Sequence, residues 1–579
     1  MLTRLRLRNF KRFDEADIEL GQAVVLIGPN NSGKTTALQA LALWDIGVRR
    51  WNEKRQGKPS PEKRPSVTIN RRDLISIPVP DANLLWRGLH VRDVEAVQKG
   101  GKPSTKTQNV RVDVIVDGVS NGQAWSCGLE FDYANEESFY CRPLRLENGP
   151  DVVRMPVPAQ AATVRVAFLP PMSGLADREF VKQAGEIGVL IGQGQTAQVL
   201  RNLCYQIYRQ HDTSPSWQGL CKHIRQLFGV ELLEPQYVAE RSEITMAYKE
   251  HEARLDLSSS GRGLQQTLLL LAHLYANPQT VLLLDEPDAH LEIFRQRQIY
   301  GLLTEVAREQ GSQIIAASHS VVVLNEAADR DLVIAFVGKP HRIDDRGPQV
   351  LKALCDIGFD QYYQAEQTGW VLYVEGATDL AILQAFAHTF DHPAQQHLER
   401  PFVHYVANLP QRAREHFFGL REAKPDLVGI ALFDRLDKEL QTGIALTELM
   451  WARREIENYF CSEDVLTAYA CLDQLSDLFG AAQAARREPA MREAIREVSG
   501  ALRMLSKPDP WSADIKATNE FLDPVFKAFF AKLELPLTLR KSDYHLLASL
   551  VSADKLDPEV RDKLDAIVAV ATQAKPRVD

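Results

Sequence analysis

The chain is predicted to be an α/β protein in which a mixed sheet with an antiparallel β lobe is followed by a smaller α/β domain and a helical C-terminal region. Three observations predict it. A continuously apolar strand, Ala23 to Ile27, runs into the glycine loop Gly28-Pro-Asn-Asn-Ser-Gly33-Lys34-Thr35 and then a helical stretch. A second apolar strand, Val281 to Leu284, ends in Asp285-Glu286. A third, Val371 to Val374, ends in Glu375-Gly376, and the βα pattern repeats at Val403 and Val428. Uninterrupted apolar strands of this kind suit sheets covered on both faces.

The elements follow in order. Leu2 to Leu20 alternates in hydropathy and reads as two strands joined by a turn near Asn9 to Arg12. The helix after the glycine loop is expected from Lys34 to about Asp45. Residues 49 to 72 then gather nine Lys or Arg against Glu53 and Glu62, with several prolines. They read as a flexible basic insertion, either a solvated loop or a contact for nucleic-acid phosphates. From Val110 to Phe168 the period is two, with an Asn121-Gly122 turn, which predicts antiparallel hairpins including a strand at Val164 to Phe168. Residues 176 to 230 turn helical, and strands return at Glu243 to Tyr248 and Ala253 to Leu257. A second α/β run covers 258 to 338, and Pro340 and Gly347 mark a polar linker. The expected division is 1–345, with a basic insertion over 49–109 and a helical insertion over 176–235, and 346–579, with an α/β core over 365–460.

Composition limits the partners. At 579 residues the chain exceeds one ordinary domain. Its seven cysteines show no CxxC or Cys/His metal spacing, so reduced thiols in a cytoplasmic protein are expected. No apolar run is long enough to cross a bilayer and no signal peptide is evident, so no membrane partner is expected. A net charge of −8 does not advertise nucleic-acid binding, although a local basic face is compatible with it.

Chemistry concentrates at the three strand ends. Backbone N–H groups of a glycine loop opening a helix converge on phosphate oxygens, and the helix N-terminus adds partial positive charge. Gly28, Asn30, Asn31, Ser32, Gly33, Lys34, Thr35 and Thr36 are therefore the candidate ATP-binding positions. Lys34 is placed to reach the β and γ phosphates, and the Thr35 hydroxyl to ligand Mg²⁺. Asp285 holds Mg²⁺ through water, and Glu286 polarises the attacking water. Leu257-Ser-Ser-Ser260-Gly261-Arg-Gly-Leu-Gln-Gln266 precedes that strand and offers a second anion site before a helix. Downstream, a strand from Ile314 to Ala317 ends in Ser318-His319-Ser320, where His319 is placed to hydrogen-bond a γ-phosphate.

In the second α/β unit, glycine after Glu375 lets the chain turn and leaves the carboxylate at the sheet's C-terminal edge. Two βα units on, Val428 to Phe433 ends in Asp434-Arg435-Leu436-Asp437. Carboxylates on neighbouring strand ends repel one another unless a divalent cation lies between them, and Mg²⁺ suits oxygen ligands. Thr378 or Asp379 offers a helix cap, and Asp379 a further metal ligand.

The first set of residues resembles the ABC ATPase heads of the SMC and RecF group, over residues 1–48 and about 240–338. That resemblance implies that Ser260 and Gly261 reach the γ-phosphate of the opposite subunit in a head-to-tail dimer, with Asp288-Ala-His-Leu291 as the D-loop at the seam. The signature departs from the common serine-glycine-glycine-glutamine form, and the Leu169-Pro-Pro-Met172 strand end supplies no Q-loop glutamine. The second set looks like a Toprim domain. A head followed by Toprim on one chain is similar to the OLD family of ATP-dependent endonucleases and to the nuclease subunit of Gabija antiphage systems. This implies an ATPase and Mg²⁺-dependent endonuclease, with Mn²⁺ an alternative at the Toprim site. Glu375 maps onto the Toprim glutamate and Asp434 with Asp437 onto the aspartate pair, which here has two intervening residues instead of one. Arg453-Arg-Glu-Ile-Glu457-Asn-Tyr459 resembles a further OLD-type segment, with Glu457 as a ligand or a solvated carboxylate. Lys541 matches a late lysine that stabilises the scissile phosphate, or is a plain surface lysine.

Two readings follow. In one, the protein is an ATP-gated, metal-dependent nuclease in antiviral defence, acting on nucleic acid with DNA favoured over RNA, as a homo-oligomer and with a companion defence protein as a further partner. In the other, it is an ATPase sensor or scaffold whose Toprim unit is inactive or partner-dependent. The widened aspartate spacing favours the second.

Overall fold

The buried strand Ala23–Ile27 and the helix that leaves it organise the first half of the chain, and the buried strand Trp370–Val374 the second. In the computed structural model, residues 1–577 are described apart from 56–65, 78, 100–101, 147–152, 210–214, 329, 344–356, 438–439, 442, 444 and 472–477. The chain divides into two compact units, Met1–Cys355 and Asp356–Val578.

Unit 1 begins with β1 (Leu2–Phe10), β2 (Phe13–Glu19) and β3 (Ala23–Ile27), then α1 (Lys34–Arg55). After β4 (Val67–Asn70) come a hairpin of β5 (Arg92–Lys99) and β6 (Lys102–Asn109), then β7 (Arg111–Ser120), β8 (Gln123–Asn135), β9 (Ser138–Pro143) and β10 (Val166–Leu169). Three helices, Ala184–Gly192, Leu200–Arg209 and Pro215–Phe228, are followed by short strands β11 (Glu231–Leu232), β12 (Gln236–Val238), β13 (Glu243–Thr245), β14 (Ala247–Glu250) and β15 (Ala253–Asp256). The unit closes with α2 (Arg262–Ala276), β16 (Val281–Asp285), α3 (Ile293–Glu309), β17 (Gln313–Ser318), α4 (Val321–Ala327), β18 (Leu332–Ala335) and β19 (His341–Arg342).

Two six-stranded sheets result. One has the order β2-β1-β7-β8-β9-β4, and its pairings are antiparallel. The other has the order β10-β16-β17-β3-β18-β19, with its first five strands parallel. Helix α1 packs against strands of both sheets, which is why it is apolar almost all round. Trp44 stacks on Trp125 at 6.1 Å, and its indole N–H donates to the Cys127 carbonyl at 3.0 Å. At Gly47 a Cβ would lie 2.7 Å from Leu129, so only glycine lets helix and sheet approach this closely.

Two expectations are corrected here. Helix α1 does not stop near Asp45 but continues to Arg55, because Val48 and Trp51 extend its buried face. The first part of the supposed flexible insertion is therefore helix, and β5 and β6 form a hairpin further along it; residues 56–65, with Lys58, Lys63 and Arg64, lie outside the described residues, as does Gly347. Strand β10 does not join the antiparallel hairpins. It pairs in parallel with β16, from Val166↔Val281 to Leu169↔Leu284.

Unit 2 holds a four-stranded parallel sheet in the order β21-β20-β22-β23, from β20 (Trp370–Val374), β21 (Val403–Tyr405), β22 (Val428–Phe433) and β23 (Leu446–Met450). Helices α5 (Phe359–Thr368), α6 (Ala377–Thr389) and α7 (Pro410–Ala423) accompany the sheet, and α8 (Pro558–Thr572) closes the helical C-terminal part. All five β20 residues are buried, and alternate ones, Trp370, Leu372 and Val374, join one core with α6, α8 and the C-terminal helices. Each fully buried side chain of this size contributes about 1.5–3 kcal/mol. Among the described residues, no helix is long and apolar enough to cross a membrane.

Candidate ATPase and metal-binding sites

The glycine loop is shaped by contacts on both sides. A Cβ on Gly28 would lie 2.8 Å from the Ser32 hydroxyl and 3.0 Å from the Phe336 carbonyl. Gly33 has φ of +103°, and a Cβ there would strike Phe13 and Arg12 at 2.7 and 2.8 Å. The Arg12 guanidinium donates to the Asn31 carbonyl, bracing the loop from the β1–β2 turn. Asn30 and Asn31 are exposed, Thr36 is half-buried, and Lys34 is buried, its ammonium donating to the Gly28 and Pro29 carbonyls at 2.7 Å each. Burial lowers the Lys34 pKa, opposed by Glu286, Asp285 and Asp288.

The strand order sets β16 two positions from β3, across β17, and brings the acids to this loop. The Thr35 hydroxyl lies 3.0 Å from both Asp285 carboxylate oxygens. Burial pushes Asp285 up to about 6; Glu286 adds to the shift, while Thr35 and Lys34 oppose it. Glu286 has φ of +49° and lies 3.8 Å from His319 Nδ1, at the ends of β16 and β17. Lys34, Thr35, Asp285, Glu286 and His319 thus gather in one place.

The loops carrying Glu286 and His319 are also joined. Asp288 is buried and hydrogen-bonded to Ser318. The Gln296 amide donates to the Leu291 carbonyl at 3.0 Å and its oxygen accepts from the Ser320 hydroxyl at 2.6 Å. Gln296 carried no motif in the sequence, since its role depends on α3 packing beside that loop.

Ser260 and Gly261 sit elsewhere on the unit. Their hydrogen bonds stay within residues 257–265, including Ser260 Oγ to the Leu257 carbonyl at 2.6 Å. Gly261 caps α2 and is exposed, with nothing within 4 Å of where a Cβ would point. The loop after β10, Pro170 to Met172, leaves a strand adjacent to β16 and holds no glutamine.

In unit 2, Glu375 and Asp434 follow adjacent parallel strands. The Glu375 amide donates to Asp379 Oδ2 at 3.0 Å, which turns Asp379 back from the first turn of α6 toward the strand end. The Asp434 amide donates to the Asn408 side chain at 3.0 Å. Glu457 stands in the turn Ile456–Tyr459, 2% exposed, and its Oε1 has the Lys541 ammonium 3.5 Å away. Burial raises Asp434 well above the carboxylate range; Glu457, Asp379 and Glu375 push the same way, and Glu375 hydrogen-bonds to it. Burial, then Glu457 and Glu375, lifts Asp379 to about 7. Glu457 is raised by burial, partly offset by Lys541. Lys541 is held above its ordinary value because Glu457, Glu375, Glu455 and Asp379 outweigh its burial.

Four carboxylates and one lysine therefore share a pocket of mutual influence. The donor set is all oxygen, which suits Mg²⁺ or Mn²⁺, and Glu457 Oε1 is buried without a hydrogen-bond partner. Among the described residues, no three of these side chains close on a single point tightly enough to hold an ion as they stand. Asp434 and Asp379 respond to the acids around them without the set forming a finished cage. Asp437 is a correction. It is exposed four residues beyond the end of β22, and the acids acting most strongly on Asp434 are Glu457, Asp379 and Glu375 instead. The extra residue in the aspartate spacing carries Asp437 out of the pocket, and the α6 turn puts Asp379 there.

Lys34, Thr35, Asp285, Glu286 and His319 make a candidate ATPase site of unit 1. Two family models match that unit: "AAA ATPase domain" over residues 1–44, and "AAA domain, putative AbiEii toxin, Type IV TA system" over residues 210–325. Over 43 residues the chain is 44% identical to an OLD nuclease of Thermus scotoductus, a match covering 7% of this chain and 8% of that protein's length. Among solved structures it is similar to the SMC head domain from Thermotoga maritima, at 18% identity and a TM-score of 0.31, covering 59% of this chain and 98% of that one. It is likewise similar to the Smc head domain with an extended coiled coil, bound to the C-terminal domain of ScpA, from Pyrococcus furiosus, at 14% identity and a TM-score of 0.32, over 62% and 99%.

Proposed function

We propose that the protein is an ATP-hydrolysing, Mg²⁺-dependent endonuclease of the OLD type, acting in antiphage defence. The observation that carries the nuclease half is the convergence of Glu375, Asp379, Asp434 and Glu457 with Lys541 at the ends of parallel strands. The short identity to an OLD nuclease supports it. The match spans a small fraction of that relative, so the activity rests chiefly on the site.

In the ATPase half, Lys34 leaves its loop carbonyls for the β and γ phosphates, and the N–H groups of residues 31–35 orient them. Thr35 and Asp285 would hold Mg²⁺, which supplies charge neutralisation at the phosphates. Glu286 takes a proton from the attacking water, and His319 donates a hydrogen bond to the γ-phosphate. Ser260 and the exposed Gly261, just before α2, contact the γ-phosphate held by a second copy of the chain. The site is thus completed in a head-to-tail homodimer.

In unit 2, Glu375, Asp379, Asp434 and Glu457 would hold one or two divalent cations, which supply water activation and charge neutralisation at a scissile phosphodiester. Lys541 donates to the phosphate oxygen as charge develops on it. DNA is the favoured substrate, and the ATP state governs cutting.

The test is incubation of the purified protein with supercoiled plasmid, linear DNA and tRNA, in Mg²⁺ or Mn²⁺, with and without ATP, alongside Glu375→Ala and Lys34→Ala. Cleavage that disappears in Glu375→Ala supports the proposal. Intact ATPase with no cleavage of any substrate favours the second reading, a sensor or scaffold with a partner-dependent Toprim unit. The carboxylates' failure to close on one point, and the exposure of Asp437, are what favour that reading.

A further inference from the structure

The segment Pro510 to Ile515 in unit 2 runs beside the carboxylate pocket and is tied to it at five points. The Asn458 amide donates to the Ser512 and Ile515 carbonyls at 3.2 Å each. The Arg454 amide donates to the Ala513 carbonyl at 2.8 Å. Cys461 Sγ lies 3.8 Å from the Pro510 carbonyl, and the Arg435 guanidinium meets Asp514 at 2.6 Å. Every partner is within four residues of Asp434 or Glu457.

This segment presents Trp511, which is 39% exposed. Its ring sits edge-on to the buried Phe521 at 5.1 Å and 80°. Its amide donates to Asp509 Oδ1 at 3.1 Å and the Ser512 amide to the Asp509 carbonyl at 2.9 Å, so the backbone under it is a closed turn. Met504 and Leu505, 89% and 69% exposed, stand a few residues before it. A tryptophan so anchored and still open to solvent costs free energy unless something covers it in use.

We infer that Trp511 is a stacking platform for an unpaired nucleotide base of the strand being cut. An aromatic ring beside phosphate-directed groups fits a nucleobase: the ring accepts the base's face while Lys541 and the carboxylate site engage the adjoining phosphate. Exposed or half-exposed cations, Arg435, Arg454 and Lys516, flank the same segment and match a polyanion. Bases in an intact duplex have both faces occupied, so the platform selects single-stranded, frayed or distorted substrates. A protein partner on Trp511 is the competing occupant, and the exposed or half-exposed cations Arg454 and Lys516 beside it favour the nucleic acid.

This inference rests on the reading of unit 2 as a nuclease, and binding separates the two. The full chain carrying Glu375→Gln, so that substrate is not consumed, is titrated with fluorescein-labelled single-stranded and blunt duplex DNA of equal length in Mg²⁺, and Trp511→Ala and Trp511→Phe are added to that background. Trp511→Ala should weaken single-strand binding by about 5- to 150-fold, with Trp511→Phe retaining most of it and the duplex nearly unaffected. Unchanged single-strand affinity in a folded Trp511→Ala protein overturns the platform and leaves the nuclease reading standing. No binding of either DNA, or of a labelled single-stranded RNA, by the Glu375→Gln parent overturns both.

Discussion

The Thr35 hydroxyl lies 3.0 Å from each carboxylate oxygen of Asp285, a residue 250 positions later in the chain. This contact joins the first turn of α1 to the end of β16. The helix leaves β3 and Asp285 ends β16, two parallel strands of one sheet with β17 between them, so strand order brings the two groups together.

Glu286→Gln should retain ATP binding and slow hydrolysis by about 10²–10⁴-fold, since it removes the proton acceptor and leaves Lys34, Thr35 and Asp285 in place. Single-turnover hydrolysis beside equilibrium binding of labelled ATP checks this. Weakened binding with unchanged turnover would reassign Glu286 to nucleotide contact.

Ser260→Arg and Lys34→Ala should each abolish ATPase activity alone. Mixed in equal amounts they should recover about a quarter of it, because half of the dimers are mixed and each of those has one intact site in a head-to-tail pair. No recovery after exchange of subunits would place Ser260 in cis or outside the reaction.

Asp434→Asn should remove cleavage while leaving the melting temperature of metal-free protein at neutral pH nearly unchanged, because burial and the neighbouring acids already hold Asp434 protonated there. Mg²⁺ or Mn²⁺ should stabilise the parent and not the variant. Calorimetry with and without metal reads both effects, and a destabilised Asp434→Asn would argue that the cluster is structural.

Two buried histidines each oppose folding in acid, against buried acids such as Asp285 and Asp379 whose raised native values favour it. Burial pushes His273 in unit 1 down to about 4. In unit 2, burial and the stacked His404, 3.8 Å away, push His416 to about 3. The unfolded chain takes up these two protons near pH 6.5 while the native state does not, so each histidine costs up to about 1.4 kcal/mol per pH unit below about 6.5. His416→Gln should therefore gain stability over the parent as pH falls from about 7 to 5, read from denaturant midpoints, and an unchanged difference across that range would show that His416 is not held neutral.

The glycine loop, the Asp285-Glu286 strand end and the Glu375 strand end were legible because each couples a period in hydropathy to a residue type that the turn or the chemistry requires. Lys34, Glu286 and His319 were expected near one another, and they are. The length of α1 was misjudged because its apolar face is shared by two sheets, and a one-sided helical pattern does not anticipate that. Strand β10 was assigned to the wrong sheet because alternation predicts a strand and not its partner.

What the sequence determined by itself was the local chemistry: which strand ends carry acids, where phosphate-facing amides open a helix, and that two such centres share one chain. Only the tertiary structure decided which acids meet. Asp437 and Asp379 are equally plausible ligands by spacing, yet one is carried past the strand end and the other is turned back by the Glu375 amide. Likewise, only chain packing ties the Pro510 to Ile515 segment to Asn458, next to Glu457, through hydrogen bonds between segments more than fifty residues apart. Sequence patterns record each residue's own preference for burial and turn. A shared site depends on strand order and long-range hydrogen bonds, which no local preference encodes.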